Sequence, residues 1–425
     1  MNEALLQLIW QYSLYKPAGL VTSEGEPVTV IQPGRLNRDS GPDFTEAKIK
    51  VGDTLLVGHV ELHVNSSDWL KHGHQDDAAY RNIILHVVYK NDVDKVVDHV
   101  PVLELGGCIP SYISAQYAAL QQNPGRIPCA SQLHTIKRIT KESWLSRLLA
   151  ERWEQKLGDW DELLEDSKGD WRELLYWRMA ANFGFKVNAS PFLMLARSLP
   201  INVLAKQHEN LLHIEALLFG QAGMLNRDFE EEYPDRLKKE YLYLKQKYKL
   251  EPIAVHLWKF MRMRPSNFPT VRIAQFAALV HRSLQLFAKI IETNSEQEIA
   301  PLLEVQASEY WDTHFRFDEV QDVPSVKHLG QDSIRNIIIN TIAPIQFLYA
   351  SRQGVDGLQE KALQLLDTVA AEKNNILGTW NASGWVAENA SHSQALIQLY
   401  NHYCSKKRCM ECGIGLNILR SAPGN

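Results

Sequence analysis

Asp43, Glu61 and His63 are the residues of this chain whose types and spacing best suit chemistry. Asp43 follows a proline and stands eighteen positions before Glu61, within GPDFTEAKIKVGDTLLVGHVELH (Gly41 to His63). Two carboxylates meeting in a polar cleft make a site for a hard divalent cation, Mg²⁺ or Mn²⁺. Such a cation activates water and stabilises the charge that develops when a phosphodiester is cleaved. His63 can hydrogen-bond a water or ligate a metal, and it is neutral more often than not near pH 7.

Several elements must position these groups. Phe44 to Val51 reads as a strand, Gly52-Asp53 as its turn, and Thr54 to Val64 as the returning strand. A hairpin brings its outer ends together, so Asp43 and Glu61 can converge. Pleat parity puts His59, Glu61 and His63 on one face of the second strand. A helix is expected over Glu3 to Tyr12, a strand over Pro27 to Gln32, helical material near Gln75 to Arg81, and a buried strand over Ile83 to Tyr89.

With Pro42-Asp43 on one strand and Glu61-Leu62-His63 on the next, this part resembles the PD-(D/E)xK nuclease superfamily. The resemblance implies a helix, three antiparallel strands, a second helix and a closing strand. It also implies an Mg²⁺- or Mn²⁺-dependent endo- or exonuclease, with Asp43 and Glu61 as metal ligands. Many relatives carry a further acidic or polar group on the first helix, where this chain offers Glu3, Gln7 or Gln11. His63 departs from the pattern by standing in the lysine position, so that role falls to His63 or to a migrated Lys48 or Lys50. A catalytically inactive member of the same fold, serving as a nucleic-acid-binding or scaffold protein, is the alternative.

The remaining histidines are read more plainly. His86 lies in an apolar strand and reads as a core residue. His72-Gly73-His74, followed by Asp76-Asp77, has two readings, a lining of the cleft or a loop whose aspartate caps the next helix, and the loop is preferred because no further partners of a dinuclear site are identifiable. A third function is a different hydrolase or binding module, with zinc among His59, Glu61 and His63. No P-loop, nucleophile elbow or dinucleotide fingerprint is present in the sequence, which argues against NTPase, serine hydrolase and Rossmann readings.

A second metal-competent stretch is HYCSKKRCMECGIG, where Cys404, Cys409 and Cys412 have C-x4-C-x2-C spacing behind His402. Three thiolates and a fourth ligand complete a Zn²⁺ site, and thiolates equally suit an iron–sulfur cluster. The fourth ligand is open among His402, Cys129 and Cys108. Lys406, Lys407 and Arg408 are expected to lower the thiol pKa values.

Two basic stretches suit a nucleic-acid backbone: Arg236 to Lys249, with Lys245 among tyrosines, and Lys259 to Arg272, which carries Arg262, Arg264 and Arg272. The formal net charge of −5 supplies no global attraction to nucleic acid, so such binding needs these local patches. Five cysteines and no signal-like N-terminus point to reduced thiols in the cytoplasm. No apolar run approaches the roughly 20 residues that span a bilayer.

The expected fold class is α+β. A PD-(D/E)xK-like mixed sheet flanked by helices occupies 1–110, a linker 111–134, and a large all-helical domain 135–425, ending in the cysteine cluster. Over nearly its full length the chain also resembles an uncharacterised bacterial family, catalogued as a domain of unknown function. That likeness rests on GRLNRDSGPDF (Gly34 to Phe44), GHVELHV (Gly58 to Val64), DWLKHGH (Asp68 to His74), EALLFGQAGML (Glu215 to Leu225), RPSNFPTVRIAQ (Arg264 to Gln275) and CSKKRCMECGIG (Cys404 to Gly415). It implies no activity.

Overall fold

A computed structural model describes residues 1–93, 99–283 and 285–422. The chain is a mixed α+β protein that divides into two compact units, Met1–Trp144 with Leu399–Asn425, and Leu145–Gln398. The C-terminal cysteines, expected at the end of the helical part, thus group with the sheet.

In the first unit, α1 (Glu3–Gln11) starts at Asn2, whose side chain accepts from the Leu5 amide at 2.9 Å. Leu5, Leu6, Leu8, Ile9 and Trp10 are buried, while Glu3, Gln7 and Gln11, spaced one helical turn apart, are only half-buried. That spacing leaves a polar stripe beside an apolar one.

The sheet has the order β1 (Val28–Gln32), β3 (Phe44–Val51), β4 (Thr54–Asn65), β5 (Ile83–Lys90), β6 (Val102–Glu104), and the short β2 (Arg35–Leu36) pairs with β3. β3 and β4 form the expected antiparallel hairpin around Gly52-Asp53. β4 and β5 run parallel, with Glu61 opposite His86. A parallel pair needs a crossover. Here it is α2 (Asp68–His72) followed by two single 3₁₀ turns at 74–76 and 78–80. The expected helix near Gln75 to Arg81 is therefore only 3₁₀ turns. The first helix, the antiparallel strands and the strand after the crossover follow in the expected order, with the short α2 and these turns between β4 and β5.

Gly58 lets β4 lie this close to the start of β5. A Cβ at Gly58 would stand 2.5 Å from Ile84 Cγ2 and 2.7 Å from the Asn82 carbonyl oxygen. Gly58→Ala is expected to destabilise the chain by about 1–3 kcal/mol through overpacking. A lower urea midpoint at unchanged slope would show this, and an unchanged midpoint would contradict it.

The first unit also contains α3 (Ser111–Gln122), inside the expected linker, and the start of α4 (Arg138–Asp166). The second unit is mainly helical. It includes α5 (Trp171–Phe183), α6 (Phe185–Ser198), α7 (Ile201–Ala205), α8 (Leu211–Gln221), α9 (Glu232–Tyr248) and α10 (Pro269–Arg282). At Gly220 a Cβ would meet the Tyr241 ring at 2.0 Å, so α8 and α9 approach as closely as that glycine permits. α10 ends at Arg282, and the next helix runs Leu286–Glu292. Leu284 lies outside the described residues.

Candidate active site

Asp43 is aimed by the loop that precedes β3. The Asn37 amide donates to the Asp43 carbonyl at 2.7 Å, and the Asn37 side chain donates to the carbonyls of Ser40 and Pro42 at 3.2 and 3.0 Å. One side chain thereby fixes the whole turn. The Asp43 carboxylate accepts from Gln7 Nε2 at 2.7 Å and from the Leu62 amide at 3.0 Å. The Asp43 amide in turn donates to Glu61 Oε2 at 3.0 Å. Asp43 and Glu61 do converge, through a reciprocal pair of bonds between the two strand ends. Of the three polar candidates on α1, Gln7 makes the contact, and the Glu3 charge acts on both carboxyls.

The electrostatics describe an anionic pair short of compensation. Burial, opposed by the Leu62 amide, pushes the Asp43 carboxyl up to about 6. Burial, then the Asp43 charge, pushes Glu61 up to about 8. Desolvation and like-charge repulsion both disfavour the ionised forms, and a bound cation would relieve both.

The structure adds residues that sequence reasoning placed elsewhere. His72 and His74 do not sit in a detached capping loop. His63 Nε2 lies 3.1 Å from His72 Nδ1, and Glu61 Oε1 lies 3.7 Å from His63 Nε2 and 3.3 Å from His74 Nε2. Gly73, at φ 73°, ends α2 in the left-handed conformation and turns the chain between the two histidines. Asp92 anchors the start of the crossover, accepting from the Ser67 amide at 2.9 Å and from the Ser66 and Ser67 hydroxyls at 3.0 and 2.8 Å. Buried Trp69 sits edge-on to His63 and His74, and Tyr80 stacks on His74 with ring centroids 3.9 Å apart. Asp77 does cap the following turn, accepting from the Ala79 amide at 2.8 Å.

His86 is a core residue, as expected, but it also touches the site. Its Nε2 lies 2.9 Å from His63 Nδ1. Burial, then the His86 charge, brings His63 down to about 3, and burial brings His86 down to about 4. His63 is therefore neutral at pH 7, with a ligand's lone pair rather than the positive charge of a lysine. His59 precedes a register shift in the β4–β5 ladder and is not in the histidine group. Lys48 and Lys50 are exposed and stand five and seven residues along the strand from Asp43, on the order of 16–23 Å away at about 3.3 Å per residue. Neither can take the lysine role here.

The other sulfur site is also in the first unit. Cys404 closes a π-helical turn (Tyr400–Cys404), and Cys409 and Cys412 flank the turn into the last helix, Gly413–Arg420. Cys129, Cys404, Cys409 and Cys412 are all buried, and the charges that act on Cys404 are those of Cys412, Cys129 and Cys409. The Gly415 and Ile414 amides act on the Cys412 thiol and oppose the rise that burial causes. His402, half-buried on the preceding turn, uses its carbonyl to accept from Arg408 Nη1 at 3.3 Å. Basic neighbours do not lower these thiols. Lys407 pulls Cys409 down, but burial prevails, raising Cys409, holding Cys412 near about 11 and Cys129 near about 12, and pushing Cys404 up as well.

In the second unit, Arg262 and Arg264 are exposed and Lys245 is half-exposed. Arg272 is buried, donating to Gln275, Asn267 and Ser333 over the Phe185 ring. Its guanidinium is a core group rather than a surface contact. A cleft of about 720 Å³ contains Arg227 and Arg316, but Arg227 pairs with Asp318 at 2.9 Å and Arg316 with Glu319 at 3.5 Å. Among the described residues, no helix is long and apolar enough to cross a membrane.

Fold and site together define an α+β protein with an acidic pair and a histidine cluster at one end of its central hairpin. The chain belongs to the family described as Protein of unknown function (DUF2851), whose profile matches residues 3–375. Cys404, Cys409 and Cys412 lie beyond the matched stretch. No curated protein and no solved structure matches the chain significantly.

Proposed function

We propose that the first unit is a metal-dependent nuclease of the PD-(D/E)xK kind, hydrolysing phosphodiester bonds in nucleic acid. The observation that carries this reading is the pair of hydrogen bonds tying Asp43 to the Glu61 strand, from the Asp43 amide to Glu61 and from the Leu62 amide to Asp43. They lie on a sheet whose elements follow the order that superfamily resemblance implies, with α2 and two 3₁₀ turns in place of the second helix. The donor set fits a hard divalent cation such as Mg²⁺ or Mn²⁺, because burial, and for Glu61 the Asp43 charge, press the two carboxyls toward protonation. When bound, the cation would polarise a water and the scissile phosphate.

The chain's own groups do the positioning. Gln7 and the Leu62 amide fix the Asp43 oxygens, and the Asp43 amide fixes Glu61. Asp43 and Glu61 would hold the cation in their ionised forms, which the cation's charge favours over the protonated ones. Arg262, Arg264 and Lys245 are the surface cations assigned to phosphate. The test is incubation of the full chain with labelled single- and double-stranded DNA and RNA, in Mg²⁺ or Mn²⁺. Salt-sensitive binding with no cleavage under any of these conditions would select the inactive, scaffold reading instead.

For the cysteines we propose a structural metal, Zn²⁺ or an iron–sulfur cluster, with Cys129 rather than His402 as fourth ligand. Cys129, Cys404, Cys409 and Cys412 are all buried in the first unit, and four buried thiols are the donor types such a metal takes. Elemental analysis of full-length protein should find zinc or iron that Cys129→Ser loses and His402→Ala keeps. Retention in Cys129→Ser would rule out this ligand set.

A further inference from the structure

The Asp43–Glu61 reading uses one side of Glu61. Its Oε2 faces the Asp43 amide, while Oε1 is turned toward two imidazoles, those of His63 and His74. We infer that Glu61 Oε1, His63, His72 and His74 form a nitrogen-rich site for a borderline transition-metal ion of the Zn²⁺, Co²⁺ or Fe²⁺ class, sharing Glu61 with the acidic pair. The inference deepens the proposed function by adding a second, softer cation, and it rests on that reading only through Glu61.

Separation of the donor atoms is the first argument. Metal–nitrogen and metal–oxygen bonds of about 2.0–2.1 Å at tetrahedral angles put neighbouring ligand atoms about 3.3–3.4 Å apart. Three of the six donor–donor edges here are 3.1, 3.7 and 3.3 Å. One ligand nitrogen from each of His63, His72 and His74 lies within 4.8 Å of the other two.

The second argument is an unmet polar atom. His74 Nε2 is buried and makes no hydrogen bond, although Glu61 Oε1 is only 3.3 Å away. A buried ring nitrogen left without a partner carries a penalty that a metal bond would remove. The Tyr80 ring stacked on His74 and the nearby edge of Trp69 restrict how that imidazole can turn.

The third is outer-shell support. Ligating histidines usually donate their second ring nitrogen to a fixed acceptor, which sets the tautomer. His63 Nδ1 has His86 Nε2 at 2.9 Å, so donation from His63 leaves its Nε2 lone pair facing the cluster. Imidazole donors favour zinc and its neighbours in the first transition row over Mg²⁺, which prefers oxygen and retained water. Asp43 then lies beside the softer ion, on the same carboxylate, where a hard cation or a polarised water can be held.

The test uses Co²⁺ as the probe on full-length, chelator-stripped protein. Cobalt held by nitrogen and oxygen should give tetrahedral visible bands, separable from cobalt on the cysteines by the near-ultraviolet charge transfer of thiolate ligands. His72→Gln, at an exposed position that the fold tolerates, and His74→Gln should each weaken the nitrogen-bound equivalent by about 100-fold or more, whereas Asp43→Asn should leave it in place. Cobalt bound only with thiolate character would overturn the inference, as would nitrogen-type bands untouched by both histidine variants. Tight Co²⁺ binding without cleavage of any nucleic acid would instead overturn the nuclease reading and leave this site standing.

Discussion

Glu61→Gln is expected to reduce Mn²⁺-dependent cleavage by at least about 10²–10³-fold, the scale typical of losing a positioned acid–base or charge-stabilising group. Asp43→Asn should behave alike. The same Glu61 substitution should make the metal-free protein more stable at pH 8, by on the order of 1–3 kcal/mol, because it removes a buried charge and its repulsion by Asp43. Activity lost together with stability gained separates a role in chemistry from a role in folding. Thermal melts in chelator, run beside the cleavage assay, read both quantities. If Glu61→Gln destabilises the metal-free chain, Glu61 is a structural hydrogen-bonding residue and the carboxylate pair has been misread.

Stability should also depend on pH in a way that reverses with metal. Asp43 and Glu61 have folded pKa values above their unfolded ones, about 6 against 3.8 and about 8 against 4.5. The folded chain therefore holds more protons, and the stability these groups contribute is complete below the unfolded values and lost as pH rises through the folded ones. His63 and His86 act in the opposite sense. Their folded values, about 3 and about 4, lie below 6.5, so their contribution is complete above 6.5 and lost on acidification. The two pairs oppose each other over roughly pH 4.5–6.5. Of these four groups only Glu61 continues to titrate above that, so its contribution to metal-free stability should fall between about pH 6.5 and 8, read as the difference between the wild type and Glu61→Gln. Mn²⁺ binds the ionised carboxylates, so the melting-temperature gain it confers should grow across the same interval. Chelated wild type and Glu61→Gln with parallel profiles from pH 6.5 to 8 would show that Glu61 is not held in its protonated form.

Much of the site was legible before the fold was known, for identifiable reasons. Hairpin geometry follows from alternation and a Gly-Asp turn, so the meeting of Asp43 and Glu61 could be read from local rules. Gln7 could be read as well, because residues one helical turn apart share a face. His72 and His74 could not. Their approach to His63 depends on the left-handed Gly73 and on Asp92 anchoring the start of the crossover, neither of which leaves a periodic signal. The paired glycine and histidines of His72-Gly73-His74 were the one clue available. Strand parity also favoured His59, but a register shift between His59 and Val60 breaks the regular pleat there. Cys129 posed a different problem, since no spacing rule links it to cysteines at the other end of the chain. In the helical unit, composition showed the helices but not their ends. Between α7 and α8, for example, the break is set by Asn210, which caps a new start by accepting from the Leu212 amide.

Anomalous diffraction from a crystal soaked in Mn²⁺ tests the central claim most directly. The expected result is a peak within bonding distance of both the Asp43 and Glu61 carboxylates. A fully soaked crystal with no peak there, or with the two side chains turned away from a common point, would contradict the account.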